Sequence, residues 1–302
     1  MDFNQIINQF QAEFLANGIT PPDEIIADGK LHRFHIEGDK FRSKNGWYVL
    51  YLNGVPCGVF GSWKKGVYFK WSAKNQGCMT KTELRNQMER IKEASKMRNA
   101  MKDKEQQDAA CLAENLWEGY PKANPHHPYL KKKHISPYYA RQFYQEIVLP
   151  VIDFDGKVWS LQYINELGEK RFLLNGAIKE HFMPVQHQPH HNQKILICEG
   201  FATGATLAEK YPTYCVIAAC NAGNLKPVAL HIRKNMPCAE ITICADDDRM
   251  RSDNPGVIKG REAAIASGAL FCKPKWPEGS PESLKDFNDL YCWLADAEVQ
   301  HV

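Results

Sequence analysis

Apolar positions recur first at helical spacing, over residues 3–17. The stretch closes at Gly18 and the Pro21-Pro22 pair, which predicts a short amphipathic helix. Strand-like alternation follows. GWYVLYL (46–52) runs up to Asn53-Gly54, a dipeptide that favours a two-residue hairpin, and VPCGVFG returns from it. A second turn at Lys64-Lys65-Gly66 leads into VYFKW, so a small meander of about three strands is expected. From Thr80 to Trp117 the residues are helix formers without Gly or Pro, predicting one long helix or a helical hairpin. GYPKANPHHPYLKKKHISP then reads as a loop. The segment 147–174, with turns at Asp155-Gly156 and Leu167-Gly168, reads as an antiparallel meander.

Beyond the polar linker HQPHHNQ the pattern changes. KILICEG, TYCVIAACNAG, EITICADDD and ALFCKPK are short apolar runs with little alternation, and helical stretches at 203–211, 226–235 and 257–267 lie between them. Continuous apolar strands alternating with helices predict a mainly parallel sheet covered on both faces. The expected organisation is an α/β chain in four parts: a basic, aromatic β-rich region (1–78), a helical connector (79–135), a β subdomain (136–193) and a Rossmann-like domain (194–302).

Composition narrows the classes. Hydrophobic residues at 44% and charged residues at 24% are ordinary for a globular chain. No apolar run is long enough to span a membrane and no secretory leader is visible, so a cytoplasmic protein is expected. The ten cysteines are scattered with no C-x-x-C pair, and several lie inside apolar runs, which reads as buried free thiols. His187, His190 and His191 cluster in the linker without nearby cysteine partners and read as polar linker residues rather than a zinc site. Charge is uneven. Residues 194–302 carry a net −2 and the remainder +5, while residues 29–74 alone carry +7. A basic segment beside a more acidic domain points to a polyanion at the first and metal ions at the second.

The candidate chemistry sits where the parallel strands end. Ligands of such sheets bind beyond the carboxyl ends of the strands. Glu199 follows ILIC directly, and Asp246-Asp247-Asp248 follow ITICA. Alternation puts Asp246 and Asp248 on one side and Asp247 on the other. Asp286, Asn288 and Asp289 in SLKDFNDL offer a further acidic group. Converging carboxylates repel unless a cation neutralises them, and hard oxygen donors suit Mg²⁺ or Mn²⁺. Each acid alone reads as a helix cap or loop residue; the ordered set is what singles them out.

ILICEGFATGATLAE, VIAACNAGNL, ITICADDDRM and LKDFNDL together resemble the Toprim domain in the version carried by phage- and plasmid-encoded primases. The resemblance implies Glu199 as the acid/base or metal-polarising glutamate, Asp246 and Asp248 as the metal-binding pair, and Asp286 as a later acidic ligand. It also implies tight backbone turns at Gly200 and Gly223. Two departures stand out: RMRSDNPGVIKG intervenes between D-x-D and REAA, and the later group has Asn288 beside Asp289, leaving open which approaches a metal. Upstream, PVIDFDGKVWSLQYINELGEKRFL resembles the basic subdomain preceding Toprim in bacterial-type primases, where Lys170 and Arg171 would lie along template or nucleotide. HPYLKKKHI and the NGWYVLYLNGVPCGVFG region also resemble mobile-element primases.

In residues 29–74 the basic excess is interleaved with ten aromatics, a combination suited to stacking on bases and contacting phosphates. Alternation is expected to expose Trp47, Val49 and Tyr51 as a platform, with Tyr48, Leu50 and Leu52 as core. Trp63, Lys64 and Lys65 are further candidates for nucleic-acid contact. The function implied is a DNA primase joining NTPs on a single-stranded DNA template with Mg²⁺ or Mn²⁺. No P-loop is present, so a separate replicative helicase is the expected partner. The rival readings are a metal-dependent Toprim nuclease and a non-catalytic DNA- or partner-binding protein of a mobile element that retains the fold.

Overall fold

A computed structural model describes residues 2–41, 43–190 and 193–300, so His191 lies outside the described residues. The chain forms two compact units, one up to Lys104 and one from Glu105 onward.

In the first unit, helix α1 (Phe3–Ala16) starts at a capping box. Gln5 N–H donates to the Asp2 carboxylate at 2.8 Å, and the Gln5 side chain accepts from Asp2 N–H. Four strands follow in a plain antiparallel meander: β1 (His32–Phe34), β2 (Gly46–Tyr51), β3 (Cys57–Ser62) and β4 (Val67–Ser72). The first of these, short and between loops, adds a strand to the expected three. Ile6, Phe10 and Phe14 lay the apolar stripe of α1 on Tyr48, Leu50, Phe60 and Trp71. A Cβ at Gly58 would stand 2.8 Å from the Phe10 ring, so that glycine lets the helix sit close. Helix α2 (Lys81–Gly119) is one continuous helix, opened by a capping box between Thr80 and Glu83.

The other face of the meander is covered as well, and the exposed platform expected there does not exist. Trp47 is 1% exposed and packs with Val49, Val59 and Ala94 of α2. Period-two alternation says which residues share a face; it does not say that a helix from later in the chain will cover that face.

The second unit continues with α3 (Pro128–Lys133), a short helix inside the segment expected to be loop. His127 caps it and Pro128 occupies its first turn. The meander β5 (Arg141–Phe143), β6 (Glu146–Ile152), β7 (Val158–Ile164) and β8 (Lys170–Phe172) matches the antiparallel reading of 147–174. Then come β9 (Met183–Pro184), β10 (Lys194–Cys198), α4 (Phe201–Lys210), β11 (Cys215–Ala218), α5 (Ala222–Asn235), β12 (Glu240–Cys244), α6 (Pro255–Ser267), β13 (Leu270–Cys272) and α7 (Phe287–Gln300). Their sheet has the order β13-β12-β10-β11-β9, parallel except for β9.

The sheet is buried on both faces, as continuous apolar strands require. Ile195, Ile197, Ile217, Ile241 and Ile243 meet α5 and α6 on one side. Leu196, Cys198, Val216 and Cys244 meet α4 on the other. β10 lies between β11 and β12, so the chain changes direction at β10, and a crevice opens beyond its carboxyl end. Helix α5 begins at Ala222 rather than at the expected Lys226. Asn221 caps it there, accepting from Asn224 N–H at 3.1 Å, which leaves Pro227 inside the helix.

Candidate active site

Cys198 and Cys244 are directly paired in register, so the segments leaving β10 and β12 run side by side. Glu199 follows the first and Asp246 the second. With Asp286, just before α7, they line a cleft of about 260 Å³. The opposite wall comes from Tyr129, Lys132 and Lys133 around α3 and from Leu167, Gly168 and Lys170 at the β7–β8 turn. Gly200, Ala202, Thr203, Cys220 and Lys285 complete the lining.

The acids are held uncomfortably. Burial pushes the Asp246 carboxyl up to about 8, with Glu199, Asp286 and Asp248 adding repulsion and Lys285 opposing it. Glu199 is raised by burial and then by Asp248, partly offset by the Ala222 N–H, Lys170 and Lys285. Asp286 is raised by burial and by Asp289, against the Asp289 N–H and Lys133. Asp246 Oδ1 is buried without a hydrogen-bond partner. Orphaned buried oxygen together with clustered carboxylates is the environment a hard divalent cation relieves. The donor set therefore fits such an ion, although among the described residues no three acidic, histidine or cysteine side chains are already drawn together as a closed metal site.

The D-x-D segment divides as alternation implied. Asp248 accepts from Gly256 N–H at 3.2 Å and acts on Glu199, whereas Asp247 turns inward. Lys273 (2.8 Å), Trp276 Nε1 (2.9 Å) and Asn254 Nδ2 (2.8 Å) all reach Asp247. Burial works to raise its pKa, but those three partners outweigh burial and hold it low. Asp247 is thus the anchor of the loop. The inserted RMRSDN stretch is only a turn, since PGVIKG already belongs to α6. Arg249 stacks 4.2 Å over Trp276 and donates to the Pro281 and Leu284 carbonyls, tying the insertion to the segment before Asp286. A Cβ at Gly256 would lie 2.5 Å from the Asp246 carbonyl oxygen, so glycine lets α6 press against the acidic loop.

Several expected site residues lie elsewhere. Asp289 pairs with Lys133 at 3.1 Å. Burial works to lower the Lys133 pKa, and Asp289 with Asp286 outweighs it and holds it high. Asn288 is buried, donating to the Lys133 carbonyl (2.7 Å) and to Thr206 Oγ1 (2.9 Å). Neither lines the cleft; helical geometry at the start of α7 turns both toward α3 and α4, leaving Asp286 as the acid facing inward. Lys170 and Arg171 part company because β8 alternates. Lys170 enters the cleft, while Arg171 lies 3.9 Å over the Tyr163 ring and bonds Glu146 Oε1 at 3.0 Å.

Gly200 is extended (φ −126°) at the two-residue bend where β10 gives way to α4, and a Cβ there would make only ordinary contact with Lys170 Nζ at 3.4 Å. Gly223 lies in the first turn of α5. Two residues lining the cleft have positive φ, Gly168 (+89°) and Cys220 (+73°), and the latter is a conformation non-glycine residues seldom adopt. Trp63, Lys64 and Lys65 belong to the first unit. Arg33 stacks 4.4 Å over Trp63, and Lys64 pairs with Asp39. The rings of His187 and His190 stack 5.5 Å apart. Tyr129, Lys132, Lys133 and Lys285 went unassigned from sequence, although the KKK run and the K-D pair were visible there.

Residues 194–293 match the family model of the Toprim domain. Two proteins named DNA primase TraC from Escherichia coli are 34% and 32% identical to this chain, over 94% and 93% of it, but only 29% and 21% of their own lengths. The chain thus spans less than a third of these curated relatives. The primase fragment of the bacteriophage T7 primase-helicase protein aligns over 61% of this chain and 78% of its own at 18% identity, with a TM-score of 0.42.

Proposed function

We propose that this chain, whose residues 194–293 match the Toprim domain model and which is 34% identical to a DNA primase TraC over 94% of its length, synthesises short RNA primers on single-stranded DNA by metal-dependent nucleotidyl transfer. The observation that carries the reading is the convergence of Glu199, Asp246 and Asp286 with Lys170 and Lys285 in one cleft. Asp246, Asp248 and Asp286, with Glu199 as shared ligand or base, would hold Mg²⁺ or Mn²⁺, and the bound ion would neutralise phosphate charge and stabilise attacking and leaving oxygens.

The protein's own groups divide the remaining work. Lys170, Lys285, Lys132 and Lys133 present cations to the triphosphate of an incoming NTP, which orients its reacting phosphorus. In the role of base, Glu199 takes the proton from the attacking 3′-hydroxyl. Asp247, Asn254 and Arg249 hold the acidic loop in place. In the first unit Lys64, Lys65 and Trp63 are template-contact candidates, while Trp47 holds that unit together from inside. A replicative helicase acting in trans is the partner this reading expects.

The test is to incubate the protein with single-stranded DNA, labelled NTPs and Mg²⁺ or Mn²⁺, beside Asp246→Asn. Short labelled oligonucleotides from wild type alone support the proposal. Degradation of the DNA by wild type alone would make the cleft a nuclease, and inactivity of both with every divalent metal would leave a binding protein.

A further inference from the structure

Three cysteines stand level at the carboxyl ends of adjacent strands. Cys198 of β10 pairs in register with Cys244 of β12, and Cys244 with Cys272 of β13. All three pack on the sheet face covered by α4. Cys198 is fully buried and its thiol is directed to the Gly200 carbonyl (3.4 Å) and the Ile217 carbonyl (3.6 Å). Cys244 and Cys272 instead face one another, with sulfurs 3.5 Å apart. Cys244 is buried and Cys272 is half-buried, so one member of the pair is within reach of a small solute.

We propose that Cys244 and Cys272 are a reversible disulfide site, closed by a peroxide and reopened by a dithiol. Neighbouring strands lie about 4.8 Å apart, inside the roughly 4.4–6.8 Å between Cα atoms that a disulfide spans. Closing the sulfurs by about 1.5 Å to bonding distance needs side-chain rotation and a small inward shift, without breaking the sheet. The Cys272 thiolate attacks one oxygen of hydrogen peroxide, giving a sulfenic acid and, after protonation, water. The Cys244 thiol then attacks the sulfenic sulfur and its proton leaves with the displaced hydroxyl as a second water, so two thiols and one peroxide become one disulfide and two waters. Thiol–disulfide exchange with a dithiol returns both thiols.

Position gives the bond a consequence for the cleft, one that rests on reading the cleft as a divalent-cation site. Ala245 N–H donates to the Cys272 carbonyl at 3.0 Å, and Asp246 comes next. Lys273, next to Cys272, holds Asp247 at 2.8 Å. Drawing the sulfurs together therefore pulls on both strands that carry the acidic loop, and weakens its grip on a cation.

The full chain and its Cys272→Ser and Cys272→Ala variants are treated with hydrogen peroxide, alkylated, digested and mapped by mass, with and without dithiothreitol. The expected result is a Cys244–Cys272 cross-linked peptide, two hydrogens lighter than the separate peptides, in wild type only and lost on reduction. Absence of that peptide at a dose that oxidises the exposed Cys78, Cys111 and Cys238 overturns the proposal. Mn²⁺ binding, followed by electron paramagnetic resonance, is expected to weaken several-fold on oxidation of wild type and to stay unchanged in the variants. Equal Mn²⁺ binding by reduced and cross-linked protein overturns the coupling to the cleft. If reduced wild type binds no Mn²⁺, the cation-site reading has failed, and the peptide map alone decides the disulfide.

Discussion

Asp246→Asn tests the cleft without any turnover. In metal-free protein burial comes first, then Glu199, Asp286 and Asp248, in pushing the Asp246 carboxyl to about 8 from an ordinary 3.8. A folded-state pKa above the unfolded one means the protonated form favours folding. That contribution is fully present below about pH 4 and is lost as the pH rises through 8. At pH 7 the gap is roughly 3 pH units, and at ~1.4 kcal/mol per unit the penalty is capped near 4 kcal/mol. Water entering the cleft and side-chain rotation reduce this to about 1–3 kcal/mol. Asparagine keeps the shape and removes the charge, also relieving Glu199. Urea unfolding in EDTA should show wild type losing stability between pH 5 and 8.5, with Asp246→Asn losing less and being the more stable protein at pH 8.5. Saturating Mn²⁺ should reverse the order, since a ligand at 100 times its Kd adds about 2.7 kcal/mol to the protein that binds it. A variant no more stable than wild type at pH 8.5, with an unchanged pH dependence, would refute the argument.

Further predictions concern residues the structure separates by role. Glu199→Gln should lower primer synthesis by roughly 10²–10⁴-fold while single-stranded DNA affinity, measured on the same preparation, stays put. Lys170→Ala should weaken nucleic-acid or NTP binding and flatten the log–log salt slope by about 1; Arg171→Ala, stacked on Tyr163 outside the cleft, should leave that slope unchanged. Trp47→Ala should destabilise the first unit by about 3–5 kcal/mol, seen by thermal unfolding, because it empties the space under Ala94 of α2 rather than removing a base-stacking surface. Asn288→Ala should cost about 1–3 kcal/mol by stranding the Lys133 carbonyl and the Thr206 hydroxyl, with metal affinity unaffected.

Features that depend on local order along the chain are legible in the residues alone. Continuous apolar runs such as KILIC and EITIC can be satisfied only by burial on both faces, so the covered parallel sheet followed from them. Period-two geometry sent Asp246 and Asp248 one way and Asp247 the other, and strand ends placed Glu199 and Asp246 at one edge. Asn53-Gly54 placed the turn between β2 and β3, although the connection spans the five residues 52–56 rather than the two expected. What stayed hidden depends on elements brought together from far apart in the chain. Whether Trp47 is exposed is decided by α2, which begins more than thirty residues later. The choice among Asp286, Asn288 and Asp289 is decided by Lys133 and Thr206, which draw two of the three away from the cleft. Cys244 and Cys272 become a pair only once β12 and β13 lie in register. A single strand or helix has a periodicity that its own residues dictate, whereas the covering of a face and the partner of a charge are properties of the packed whole.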